Sequence, residues 1–226
     1  MRHALSLLCF SCLFCFAPHL VRAGEGGEER KSAGLREALL VSTEKAVENV
    51  GRTDGFFKNK LVKILLPKEL RPVEKLARGL GAGDQVDELV LGMNRAAEQA
   101  APEANRIFGA AIRELTFEDV RRILTGGDTA ATDYFRRKTT DRLAAAFAPI
   151  VERKLDEVGV HRQYQALLGQ VPTLPFRKSP SLDLNRYVVG KAMDGLFLMI
   201  AQEEKQIRRN PAARVTDLLK DVFGRL

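Results

Sequence analysis

The chain has 226 residues, 45% of them hydrophobic and 29% charged, with a formal charge of +7, three cysteines and no tryptophan. Cys9, Cys12 and Cys15 all lie near the N-terminus, so a chain shortened by processing there has neither disulfides nor thiolate chemistry and must be held by its core. The modest basic balance could favour anionic surfaces or glycans, but it is diffuse: the Arg136-Arg137-Lys138 and Arg208-Arg209 spots alternate with acids along the chain and read by default as solvated helix faces, and nucleic acid is not an expected partner.

Residues 1–23 read as a secretory signal peptide. Arg2 and His3 open it, an apolar run from Ala4 to Ala17 follows, and Val21-Arg22-Ala23 offers small residues at the cleavage-determining positions. The run is shorter than the ~20 residues of a membrane span, and Pro18 closes it. Neither Cys12 nor Cys15 stands in a lipobox, so a lipid anchor is not expected. The expected location is the periplasm, with no stable transmembrane segment after processing. Removal of Arg2 and Arg22 lowers the charge to +5.

Residues 24–33 are Gly, Glu, Arg, Lys and Ser with nothing larger than Ala among the hydrophobes, and are expected to form a flexible lead-in to one helical domain over 34–226. Leu35, Leu39, Ala46 and Val50 mark one side of the first helix, which Gly51 stops. Lys60–Leu66 fits a short strand or a buried extended piece equally well, and Pro67 ends it. A helix over Lys68–Leu80 follows, broken by Gly81-Ala82-Gly83. From Asp84 to Leu115 apolar residues recur at three- and four-residue steps, and Pro102 is expected to kink or divide that helix. Thr116 and Asp119 resemble a capping box opening a short helix through Leu124. Past Gly126-Gly127, Asp128 or Thr129 caps another long helix, buried along Ala131, Phe135, Leu143, Phe147, Val151 and Leu155 and bent at Pro149. Helical pattern returns at Arg162–Leu168, and the prolines at 172, 175 and 180 make 169–182 an extended loop. Asp183–Arg209 is apolar on nearly every side, as suits the centre of a bundle, while Lys191 and Asp194 argue against a membrane span. Asn210-Pro211 opens a final helix carrying Leu218, Leu219, Val222 and Phe223. The fold class is therefore all-α, a multi-helix bundle with at most a short extended segment near 60–66.

Several strings resemble a bacterial family known only as a domain of unknown function, the DUF4197 family. They are Asp54-Gly55-Phe56 with Ile64-Leu65-Leu66-Pro67, Met93-Asn94-Arg95-Ala96-Ala97-Glu98, and the run from Gly126 to Phe135. Asp194-Gly195-Leu196-Phe197 and Asn210-Pro211-Ala212-Ala213-Arg214 complete the set. The resemblance implies an exported or envelope-associated protein and brings no activity, ligand or catalytic residue with it.

Two clusters are candidate ligand-binding sites. Asn94, Arg95 and Glu98 put polar groups on an otherwise apolar helix; they suit a small anionic or zwitterionic ligand, but Arg95 and Glu98 three apart more commonly mean an interhelical pair or a solvated face. Asp128, Thr129, Asp133 and Arg136 surround a helix start after two glycines, where free N–H groups can hold an anion, but Asp128 at the cap would repel a phosphate and Asp133 can pair with Arg136 or Arg137. Tyr134, Tyr164 and Tyr187 could line a pocket with Phe135, or simply rim the core. No catalytic residue, cofactor or metal is assigned: His161 is the only histidine beyond residue 23, and no serine sits in a nucleophile elbow. The function expected is a non-enzymatic envelope domain binding a partner protein or small anionic ligand. The rival is a hydrolase-like enzyme using a carboxylate pair drawn from Asp128, Asp133 and Glu98 on an envelope substrate.

Overall fold

The computed structural model describes residues 25–170, 183–210 and 220. These residues are all-α: α1 (Glu25–Gly51), α2 (Arg71–Gly79), α3 (Gly83–Ala100), α4 (Ala104–Arg113), α5 (Phe117–Thr125), α6 (Ala130–Glu157), α7 (Val160–Gln170) and α8 (Leu184–Arg209), with 3-10 turns at Lys68–Leu70 and Ala101–Glu103. Residues 169–170, expected to open the proline loop, instead close α7; the rest of that loop, the signal-peptide reading and the helix after Asn210 lie outside the described residues.

The helix boundaries follow local chemistry. Thr116 Oγ1 accepts from Asp119 N at 3.1 Å, and the Asp119 carboxylate accepts from Thr116 N at 3.1 Å, the expected reciprocal cap. Asp183 caps α8 by accepting from Arg186 N at 2.9 Å. Pro102 divides the long helix as expected, with a 3-10 turn between α3 and α4. α6 passes through Pro149 as one helix, with Ala131, Phe135, Leu143, Phe147, Val151 and Leu155 all buried.

One expectation needs correction. Residues 25–33 are not an irregular lead-in but the opening turns of α1. Glu28 and Glu29 suit the first turns of a helix, where the dipole favours negative charge, and Lys31 reaches Glu28 at 3.5 Å. Ser32 is already buried, so the core starts one turn earlier than the apolar stripe suggests.

α6 and α8 form the most extensive helix pair, with α3 packed on α6 and α1 on α8 and α4. An aromatic cluster joins the middle of the bundle: Phe108 of α4 meets Phe135 of α6 edge-on at 5.1 Å and Phe197 of α8 at 6.2 Å. Tyr134 donates to Ala111 O at 2.9 Å, so its hydroxyl is satisfied inside the core. Among the described residues no helix is long and apolar enough to cross a membrane.

The segment between α1 and the first 3-10 turn, hereafter the arm, lies in no helix and no strand over its second half. Val62, Ile64 and Leu66 are buried, whereas Leu61 and Leu65 are exposed. This alternation is the two-residue period of an extended chain. A strand would need a neighbour to take its backbone hydrogen bonds, and here a side chain takes that role. Asn94 Oδ1 accepts from Ile64 N at 2.9 Å, and its Nδ2 donates to Ile64 O at 2.8 Å.

Candidate functional site

The polar residues of α3 serve the arm. Asn94 is fully buried, and besides gripping Ile64 it donates to Val90 O at 2.7 Å. Glu98, 4% exposed, accepts from Phe56 N at 3.0 Å and Phe57 N at 3.1 Å through one oxygen, while Arg95 donates to the other at 2.6 Å. Arg95 also reaches Asp54 at 2.6 Å, and Lys58 holds the second Asp54 oxygen at 2.7 Å. Hydrogen bonding from Lys58, then from Arg95, keeps the Asp54 carboxyl below the usual carboxylate range.

This cluster is neither an interhelical pair nor a solvated face, the two bland readings of its spacing. It is a clamp that fixes the turn after α1. Asp54 takes a left-handed φ of +67°, a conformation Asp tolerates better than most side chains. Gly55 is required by close approach: a Cβ there would stand 2.5 Å from Asn49 O and 2.6 Å from Val50 O. The turn delivers Phe56 to α8, where a Cβ on Gly195 would meet the Phe56 ring at 2.6 Å. Gly195 is therefore the notch that seats the arm.

At the second cluster the anion held by the start of α6 belongs to the protein itself. Glu204 of α8, 6% exposed, accepts from Ala131 N at 2.9 Å, from Thr132 N at 2.9 Å and from the Thr132 hydroxyl at 2.8 Å. Arg208 donates to Glu204 at 2.8 Å and to Ile123 O of α5 at 2.7 Å, so one Glu–Arg pair closes both sides of the α5–α6 corner. The helix start is thus a real anion site, filled by a carboxylate 72 residues away from Thr132 in sequence.

The capping role expected for Asp128 or Thr129 is overturned. Thr129 precedes α6 without a side-chain cap bond and instead donates to Asp133 at 3.2 Å. Asp128 pairs with Arg209. Asp133 finds Thr129 rather than Arg136 or Arg137, while the Arg136 guanidinium stacks 4.5 Å over the Phe197 ring and lies 3.8 Å from Asp194. Glu98, Asp128 and Asp133 are each engaged by a different partner set: Phe56, Phe57 and Arg95 for the first, Arg209 for the second and Thr129 for the third. His161 faces Asp156 at 2.9 Å.

Sequence reasoning passed over Glu204, Arg208, Asp54 and Arg36; the last donates to Ile112 O at 2.8 Å and Leu115 O at 2.6 Å at the end of α4. A Glu–Arg pair four apart on an otherwise apolar helix was the available signal for Glu204 and Arg208.

An open cleft lies on the outer side of the arm. It has a volume of about 570 Å³ and runs between residues 61–71 and α8. Leu61, Leu65 and Leu198, 61%, 57% and 40% exposed, supply its apolar wall. Four cations border it, Lys63, Lys68, Arg71 and Lys191, against two carboxylates, Glu69 and Asp194. Lys63 stacks 4.1 Å over the Phe57 ring, and Lys191 lies 3.7 Å from Asp194. Tyr187 donates to Leu65 O at 2.9 Å and ties the arm to α8. Of the three tyrosines considered from sequence, only Tyr187 lines this cleft; Tyr134 and Tyr164 are buried in the core. Burial pushes the Tyr187 phenol up from its ordinary value, with Glu69 adding to the rise and Arg71 opposing it. Among the described residues no group of three or more His, Cys, Asp and Glu side chains is placed to hold a metal.

The chain matches the family described as "Protein of unknown function (DUF4197)" over residues 26–224. No curated protein and no solved structure matches it.

Proposed function

We propose that this chain, which belongs to the DUF4197 family and inherits no activity from it, is a non-catalytic binding protein of the bacterial envelope that receives an anionic, partly apolar ligand in the cleft between the arm and α8. One observation carries the reading: three leucines stand exposed beside four cations that outnumber the carboxylates of the same cleft two to one. Isolated exposed leucines are ordinary, but a concave group of them rimmed by one sign of charge is the composition of a recognition site. The volume, about 570 Å³, falls in the ~300–1,000 Å³ range of small-ligand sites.

The clamp gives the cleft a fixed wall. Asn94 and Glu98, the residues singled out in the sequence, would act at one remove from the ligand by holding the arm in place, which lowers the ordering cost of binding. The envelope location rests on the signal-peptide pattern of residues 1–23.

The test uses anilinonaphthalene sulfonate, an anionic aromatic fluorophore, on the chain lacking residues 1–23. The expected result is one saturable site, weakened at least tenfold by combined Lys68→Glu and Lys191→Glu and unchanged by Asp128→Ala. Unsaturable fluorescence, or saturation indifferent to the charge reversals, would overturn the proposal.

A further inference from the structure

We infer that the ligand of this cleft is a single-chain anionic amphiphile, seated with its phosphate or carboxylate head at the Tyr187 end and its alkyl chain at the Leu198 end; the inference rests on the cleft reading above. The polarity follows from the order of residues on both walls. On α8, Tyr187, Lys191, Gly195 and Leu198 succeed one another at steps of four, four and three, so they share one face. At 1.5 Å per residue that face is about 16 Å long.

The arm runs antiparallel to it. Leu65 meets Tyr187 through the 2.9 Å hydrogen bond, and Val62 lies 3.1 Å from the place a Cβ on Gly195 would occupy. Lys68 and Arg71 continue beyond Leu65 and Leu61 precedes Val62, so these two cations fall toward Tyr187 and Lys191 while Leu61 falls toward Leu198. The Tyr187 end thus carries three of the four cations beside Leu65, the Leu198 end carries Leu61 and Leu198, and Lys63 stands between them. Asp194 lies 3.7 Å from Lys191 and 3.8 Å from Arg136, and Glu69 stands with Lys68 and Arg71, so the Tyr187 end keeps three cations against these two carboxylates.

The backbone argues for an alkyl chain over an acidic peptide. A peptide docking in extended form gains affinity by hydrogen bonding to an open edge. The arm has little edge to offer, because Ile64 N and O are both taken by Asn94 and Leu65 O is taken by Tyr187. A hydrocarbon chain asks for no such partners.

The experiment is calorimetric titration of the chain lacking residues 1–23 with dodecyl phosphate below its micellar concentration. It is set beside octyl phosphate, butyl phosphate, inorganic phosphate and the neutral dodecyl maltoside. One-to-one binding is expected, strengthening about two- to fourfold per added methylene, the range set by partial to full burial of each CH₂. The neutral head should bind at least tenfold more weakly. Lys191→Glu should weaken dodecyl phosphate at least tenfold, and Leu198→Asp should flatten the dependence on chain length; both residues are exposed, and circular dichroism checks that each variant is folded. Inorganic phosphate binding as tightly as dodecyl phosphate would overturn the amphiphile and leave an anion-binding cleft. Equal binding of the maltoside would overturn the head assignment. Absence of heat with every ligand while the fluorophore still saturates would overturn this inference alone, and absence of both signals would remove the cleft reading as well.

Discussion

Glu98→Ala tests whether the arm is held by the clamp or merely lies against the bundle. The substitution removes the acceptor of two backbone N–H groups, one on the fully buried Phe56, and one of two carboxylate partners of Arg95. A buried donor left unmade costs about 1–3 kcal/mol. Two donors, the second on a half-buried residue, give about 2–5 kcal/mol, a sizeable part of the ~5–15 kcal/mol that holds a domain together. Glu98→Gln separates the components. Its amide oxygen still accepts from Phe56 and Phe57, while its NH2 group now faces the Arg95 guanidinium in place of the charge-assisted bond, so the cost falls only to about 1–2 kcal/mol. Urea unfolding followed by circular dichroism reads both variants, and each kcal/mol corresponds to a thermal midpoint shift of about 2–4 °C for a chain of this size. The reasoning is refuted if Ala and Gln are equally destabilising, or if Ala lies within about 0.5 kcal/mol of the parent, the range of an ordinary surface change.

Glu204→Ala breaks a buried pair and should cost about 3–5 kcal/mol; combined with Arg208→Ala the loss should be at least 0.5 kcal/mol smaller than the sum of the singles, and strict additivity in urea unfolding would contradict the shared corner. The Asp119 carboxyl is held below its usual value, first by the Thr116 hydroxyl, so its stabilisation is present above the unfolded value near pH 4 and lost as pH falls through the lower folded value. Asp119→Asn should therefore lower the urea midpoint at pH 7, with the gap to the parent closing toward pH 3; a gap of constant size would count against the cap. Export predicts that mass spectrometry of the osmotically released fraction finds a chain beginning at Gly24, and recovery of intact Met1 protein in the cytoplasm alone would dispose of it.

The legible parts of the fold were those whose partners sit within a few residues. The Thr116–Asp119 box and the break at Pro102 are local chemistry, and the helical stripes are local periodicity. The arm shows where that stops. Its two-residue period reads as strand or extended piece, and the choice is made by Asn94, a side chain 30 residues away that satisfies the Ile64 backbone where a second strand would otherwise be needed. At α6 the pattern put Asp128 or Thr129 at the helix start as its cap, with an outside anion as the other reading. The occupant is Glu204, and nothing near Gly126 announces it. The cleft was least legible, because its leucines and cations come from two segments more than 110 residues apart. The sequence named the residues that hold the arm while the surface the arm presents went unmarked.

The most direct test of the account is an amide chemical-shift titration of the isotope-labelled chain lacking residues 1–23 with dodecyl phosphate. The account predicts saturating shifts confined to residues 61–71 and to the Tyr187–Leu198 face of α8, with the largest for Lys68, Arg71 and Lys191. Shifts centred on residues 126–136, or scattered without saturation, would contradict it.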